Sequence, residues 1–168
     1  YLYNFRSSTI TALLDEGYDV ICFAPEDDYS SRLSELGARF VPVPMDGSSI
    51  NLLKELSLVL RIFFLLHRER PDYLFNFTIK MNLYFGLTAR ILRIRYSNNI
   101  SGLGTTFLHG GILFQLVQRL YGWANQGARC VFFQNPDDRE LFLQRGLVSP
   151  DLAVLLPGSG VDVTRFPQ

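Results

Sequence analysis

The chain has 168 residues, 48% of them apolar and 19% charged, and its sixteen basic and sixteen acidic side chains cancel. Such a composition is globular rather than disordered, supports one domain with a sizeable core, and gives no sign of nucleic-acid binding. The two cysteines, Cys22 and Cys130, lie in apolar runs and read as buried free thiols, with neither a disulfide framework nor a CxxC metal site.

The first predicted element is a helix from about Arg6 to Glu16, with Ser7, Ser8 and Thr9 as capping candidates and Ile10, Leu13 and Leu14 on its apolar face. Gly17 ends it. A strand follows over Asp19 to Ala24 and stops at Pro25. A short helix over 29–36 stops at Gly37, and Ala38 to Val43 reads as a strand that Pro42 and Pro44 confine to a sheet edge. The longest helical run is Asn51 to Arg70, closed by Pro71. Then come a strand at Tyr73–Phe77, a helix at Lys80–Arg93 with Leu83, Leu87 and Ile91 on one stripe, and a strand at Tyr96–Ile100. The Gly-rich loop Ser101–Thr106 leads to a helix at Ile112–Asn125, a strand at Cys130–Phe133, a helix at Pro136–Arg145 and a strand at Ala153–Leu156.

Helix and strand alternate throughout, which predicts an α/β fold, a Rossmann-like doubly wound parallel sheet with helices on both faces. Val131-Phe132-Phe133 is continuously apolar, as in a strand covered on both faces. A chain of this kind should begin with a strand. A missing first strand is therefore expected upstream of Tyr1, with residues 1–168 forming a single domain of a longer protein.

In open α/β sheets ligands bind at the carboxyl ends of strands. Four such ends carry turn-forming or polar residues: Thr78-Ile79-Lys80, Ser101-Gly102-Leu103-Gly104, Gln134-Asn135-Pro136-Asp137-Asp138, and Pro157-Gly158-Ser159-Gly160-Val161-Asp162. Gly102 and Gly104 would let backbone N–H groups approach an anion, although a plain tight turn explains them equally well. The third glycine of a dinucleotide fingerprint is absent at its spacing, which disfavours a nicotinamide enzyme. Lys80 sits at a helix start, unfavourably for the dipole, and suits either an anionic ligand or open solvent. Asp27-Asp28 and Asp137-Asp138 read as helix caps. Neither His67 nor His109 forms a catalytic triad or metal set that the spacing reveals.

The run Leu56–Leu66 is apolar apart from Ser57 and Arg61 and too short to span a bilayer. One reading is an interfacial helix, with Phe63, Phe64 and Leu66 on lipid and Arg61, Arg68 and Arg70 near headgroups, to which Arg90, Arg93 and Arg95 would add charge. The other, favoured by its helical spacing, is a core helix.

Taken together and in order, Asn4-Phe5-Arg6, Thr78-Ile79-Lys80, Ser101-Gly102-Leu103-Gly104, Phe133-Gln134-Asn135-Pro136-Asp137-Asp138 and Pro157-Gly158-Ser159-Gly160-Val161-Asp162 with Arg165-Phe166 resemble the N-terminal half of GT-B glycosyltransferases of family 4, in the branch that builds bacterial surface polysaccharides. The resemblance implies one half of a two-domain enzyme. This half would receive a glycan or polyprenyl-diphosphate-linked acceptor at the cytoplasmic membrane face. The C-terminal domain, absent from this chain, would bind a nucleotide sugar, a UDP-sugar in particular, through a pair of glutamates. Transfer would retain the anomeric configuration without a metal or other cofactor, and the fragment alone would be inactive.

By the same resemblance, Asn4 and Arg6 would face the cleft from the first loop. Thr78 and Lys80 would line the acceptor side. Gly102, Gly104 and Thr105 would form the loop beneath the reacting sugar, and Asn135 would end its strand at the cleft floor. Ser159, Gly160 and Asp162 would lie between the domains. No catalytic residue is assigned. Two other functions fit an α/β chain of this length: a UDP-sugar 2-epimerase of the same fold, and a noncatalytic flavodoxin-like ligand-binding module.

Overall fold

A computed structural model describes residues 1–45, 52–102, 112–158 and 160. The elements are α1 (Leu2–Asp15), β1 (Ile21–Ala24), α2 (Ser30–Glu35), β2 (Arg39–Pro42), α3 (Leu52–Glu69), β3 (Tyr73–Phe77), α4 (Ile79–Leu92), β4 (Arg95–Ile100), α5 (Ile112–Gln126), β5 (Cys130–Phe133), α6 (Pro136–Gln144) and β6 (Ala153–Leu155). The expected alternation is present, and every strand pair is parallel. The described strands form two sheets, one of β1-β2 and one of β3-β4-β5-β6. The chain divides into two compact units, the first Tyr1–Leu58 together with Gly160, the last described residue, and the second Val59–Gly158.

In the first unit the core is built from Ile10, Cys22, Leu33 and Ala38, with Leu2, Tyr3, Leu14, Val20 and Phe40 packed against it. Those first two contacts explain a departure from the sequence reading. Helix α1 begins at Leu2 rather than near Arg6, because Leu2 and Tyr3 extend its apolar face backwards by a turn. Ser7, Ser8 and Thr9 are therefore inside the helix and cap nothing at its start. Asn4 and Arg6 are helical residues, not loop residues. Asn4 is exposed, whereas Arg6 is buried. The Arg6 Nη2 donates to the Tyr1 hydroxyl at 3.3 Å, and its guanidinium carbon lies 5.9 Å from that ring's centre. Cys22 is buried too, and burial pushes its thiol up to about 11, so it stays protonated and unreactive.

In the second unit the four strands lie in chain order, so each crossover helix moves one strand along the sheet. Helix α4 packs on β4 through a face that differs from the expected stripe. Asn82, Leu83, Phe85, Gly86 and Ala89 are buried, whereas Ile91 is exposed. The reason is a close approach. A Cβ on Gly86 would stand 3.4 Å from the Ala124 Cβ and 3.4 Å from the Tyr96 ring. Gly86 permits that approach, and turning this side of the helix inward leaves Ile91 outside. Tyr96 is fully buried and donates to the Ala124 carbonyl at 2.5 Å, which fastens β4 to α5.

Helix α3 combines the two readings made for it. Leu58, Ile62, Leu65 and Leu66 are buried, so its core role is real and Leu66 is unavailable to lipid. On the opposite side Leu60 and Phe64 are exposed, Phe64 by 67%. Phe63 is half-buried and stacks parallel to the His67 ring, with centroids 6.3 Å apart. Among the described residues no helix is long and apolar enough to cross a membrane.

Candidate active site at the strand ends of the second unit

Parallel pairing brings four strand ends of the second unit to one edge. Phe77 pairs with Asn99, Ile100 with Phe133, and Phe133 with Leu155. Thr78, Ser101, Gln134 and Leu156 follow these strands and so share the edge. The Leu156 N–H donates to the Phe133 carbonyl at 2.7 Å and carries the ladder one residue beyond β6. Past it, Gly158 (φ 115°) and Gly160 (φ 72°) take backbone conformations that a Cβ disfavours, which is the physical content of the Pro157-Gly158-Ser159-Gly160 motif.

Thr78 stands between β3 and α4 with φ 72° and ψ 159°. This region is nearly reserved for glycine, and a β-branched residue held there stores about 1–3 kcal/mol of strain. The Thr78 side chain does not repay it, because it makes no capping hydrogen bond. Thr78→Gly should therefore stabilise the protein by up to about 2.5 kcal/mol, the strain relieved less the ~0.5–1 kcal/mol entropy of an added glycine. If the strain positions the strand end for function, catalytic turnover should fall in the same variant. A urea titration beside a rate measurement checks both; a less stable Thr78→Gly protein would show the backbone to be unstrained.

The helix starts at this edge differ in charge. Helix α6 is closed. Asn135 is its N-cap, accepts from the Asp138 N–H at 2.8 Å, and donates its own amide to the Asp138 carboxylate at 2.8 Å. Asp137 and Asp138 occupy its first turn. The carboxylates offset the positive end of the dipole. The cap itself falls to Asn135, not to the acidic pair that the sequence suggested. Helix α4 is open by comparison. It has no acidic residue in its first turn and no side-chain cap, and Lys80 adds a cation there. Lys80 is half-buried rather than fully solvated. An anion is favoured at the α4 end of the edge and disfavoured at the α6 end.

Beneath the edge lies a polar layer that the sequence reading did not identify. The Asn76 amide donates to Asn98 at 3.0 Å, the Asn98 amide donates to Asn125 at 2.8 Å, and the Asn125 amide donates to the Leu147 carbonyl at 3.1 Å. Asn82 donates to the Asn99 carbonyl at 2.9 Å, which ties the first turn of α4 to the end of β4. The pairing of Asn76 with Asn98 in the ladder brings the first two side chains together. The available signal was the run Ser97-Asn98-Asn99, polar within a strand flanked by apolar ones.

The titratable groups packed near this layer are not poised for proton transfer. Burial pushes the Tyr121 phenol far up; the Asn82 side chain pulls it back, and the Asp138 carboxylate raises it further. Burial pushes the Tyr96 phenol up to about 12, against a smaller opposing effect of Arg90. Burial also raises the Cys130 thiol. Each stays neutral near neutral pH, so none supplies a nucleophile or base. Among the described residues no group of His, Cys, Asp and Glu could hold a metal ion.

Of the residues singled out beforehand, Thr78, Lys80, Gly102 and Asn135 come together at this edge, and Asn4 and Arg6 belong to the first unit. Gly160 is described only by its backbone turn. Gly104, Thr105, His109, Ser159 and Asp162 lie outside the described residues.

Parallel strands joined by crossover helices, with the polar loops gathered at the carboxyl edge, define a Rossmann-like α/β fold. Solved structures share it. Anabaena Alr3699/HepE in complex with UDP superposes with a TM-score of 0.64 at 16% identity, over 95% of this chain and 42% of that one. Acinetobacter baumannii MurG superposes with a TM-score of 0.59 at 14% identity, over 96% of this chain and 43% of that one. The fold is that of one half of a GT-B enzyme.

The family is shown by sequence: the glycosyl transferase 4-like domain matches residues 6–158, and the chain belongs to that family. The N,N'-diacetylbacillosaminyl-diphospho-undecaprenol alpha-1,3-N-acetylgalactosaminyltransferase of Campylobacter jejuni is 26% identical over 174 residues, covering 98% of this chain and 45% of the relative. This chain thus spans a little under half the length of that curated relative.

Proposed function

We propose that this chain is the acceptor-receiving half of a retaining glycosyltransferase that moves a sugar from a UDP-sugar to a lipid-linked saccharide. The observation that carries the proposal is the alignment, along nearly the whole chain, with a transferase named for a diphospho-undecaprenol-linked acceptor. The charge asymmetry of the edge supports it. A diphosphate needs an anion-tolerant position, and the start of α4 with Lys80 offers one where α6 does not. The nucleotide sugar and the stabilisation of its leaving diphosphate fall to a partner domain of the same polypeptide, with no metal or other cofactor.

The test uses the full-length protein with UDP-N-acetylgalactosamine, UDP-N-acetylglucosamine or UDP-glucose and an undecaprenyl-diphosphate-linked saccharide. One donor should yield an extended lipid-linked product with the anomeric configuration kept, and this chain expressed alone should yield none. Conversion of the UDP-sugar to its 2-epimer without acceptor would instead make the protein an epimerase. Binding without any turnover would leave the ligand-binding module. Lys80→Ala should raise the acceptor KM about tenfold with kcat little changed, the pattern of a lost ground-state contact. An unchanged KM would remove Lys80 from the acceptor site.

A lipid-linked acceptor also gives the exposed side of α3 a role as a peripheral contact with the cytoplasmic membrane face. Leu60 and Phe64 are exposed there, and Arg61 and Arg68 are exposed on the same helix. The full-length protein should pellet with anionic vesicles at low salt. Each basic residue near such a surface is worth about 1 kcal/mol. Reversing Arg61, Arg68 and Arg93 together should therefore weaken binding more than about tenfold, and undiminished pelleting would rule the contact out.

A further inference from the structure

We infer that a groove between α5 and the α6–β6 turn of the second unit binds an acidic saccharide, at a site separate from the strand-end edge. Topology sets its position. Helix α5 leaves the carboxyl end of β4 and ends just before β5 begins, so its last turns lie at the amino edge of the sheet. Gly146 and Leu147, between α6 and β6, lie at that same edge. The groove has a volume of about 470 Å³, within the range of small-molecule sites.

Three features of its lining act together. Trp123 is 57% exposed, yet it is held in place. Arg90 donates to the Trp123 carbonyl at 2.6 Å and to the Gln126 side chain at 3.4 Å, and its guanidinium carbon stands 5.6 Å from the indole centre. The Nε2 of Gln118, which lines the groove, is buried and has no hydrogen-bond partner among the described residues. A buried amide donor without an acceptor is costly, and a small rotation of this side chain towards the groove would let a ligand oxygen satisfy it. Arg119 and Arg145 line the same groove, and Arg119 has no acidic partner among the described residues.

The matching ligand has a flat C–H face for the indole, oxygen acceptors for the amide, and a negative charge for the guanidinium groups. A sugar segment carrying a carboxylate or phosphate has all three, and arginine pairs with either anion in bidentate fashion. An apolar helix would cover Trp123 but strand Gln118 and Arg119. A nucleic acid would ask for a basic excess, and this chain has a net charge of zero. The inference does not depend on the transfer reaction.

The experiment is calorimetric titration of the full-length protein with trigalacturonate, with maltotriose and inorganic phosphate as comparison ligands. Trigalacturonate should bind saturably and at least tenfold more tightly than either comparison ligand. Trp123→Ala and Arg119→Glu should each weaken it tenfold or more. Gln118→Ala, a milder change, should weaken binding several-fold and guards against misfolding of the Trp123 variant. Equal binding of phosphate would reduce the groove to a simple anion site and overturn the proposal. So would full binding by the variants, or a dimer that Trp123→Ala dissociates without any saccharide binding.

Discussion

Replacing Asn98 by leucine should cost the protein about 2–5 kcal/mol, because two buried polar groups lose their partners at once. Asn98 is fully buried at the middle of a donor chain. It accepts from the Asn76 amide at 3.0 Å and donates to the Asn125 oxygen at 2.8 Å. An apolar side chain of similar volume fills the space but leaves a donor on β3 and an acceptor on α5 unsatisfied, each at roughly 1–3 kcal/mol. Asn125 remains tied to the Leu147 carbonyl at 3.1 Å and cannot turn to rescue Asn76. The measurement is native-state hydrogen exchange of the full-length protein, read at β3, β4 and α5. Protection there should fall by a factor of about thirty or more, as an opening cost lowered by at least 2 kcal/mol implies. A change under about 1 kcal/mol would mean that the asparagine ladder holds the edge in place without contributing to stability.

The second large effect belongs to Phe142. It is the one fully buried residue of α6, a helix of nine residues whose other side chains lie partly or wholly in solvent. Its ring meets those of Tyr121 and Phe133 edge-on, each at 5.3 Å between centroids. Phe142→Ala should cost about 3–5 kcal/mol through lost burial and the cavity left between three elements. The loss should concentrate on α6, whose other link to the sheet includes the Arg139 hydrogen bond to the Ala153 carbonyl at 3.1 Å. Exchange should therefore rise more in α6 and β6 than in β3. Because Asn135 caps this helix at the candidate site, turnover should fall even at a temperature where the variant remains folded. Uniform loss of protection across the sheet would show that α6 is not anchored through this residue alone.

Much of the architecture was legible in the chain because local chemistry encodes it. Gly17, Gly37 and Pro71 stop helices through backbone geometry that needs no partner. The apolar runs at Tyr73–Phe77 and Cys130–Phe133 are strands in the structure with those same bounds. Helix–strand alternation led directly to parallel pairing, and the motifs at the strand ends pointed to the edge that gathers Thr78, Lys80, Gly102 and Asn135.

Tertiary structure decided the rest, for reasons that periodicity cannot express. Whether Leu66 or Phe64 faces the core depends on what packs beside α3, and both fit an apolar helix. Arg6 stands at the expected start of the first helix and, by the resemblance, in a cleft loop, but it lies inside the helix because Leu2 and Tyr3 find a core and extend it backwards. Asparagine is disfavoured in strands, so Asn76 and Asn98 carry no local preference for their places. Their partners stand twenty-two or more residues away, and only the register of β3 on β4 brings them within hydrogen-bonding distance. The backbone of Thr78 is the clearest case. Nothing in threonine favours a φ of 72°, and the conformation exists because a strand and a helix, each fixed by its own packing, leave a single residue to join them.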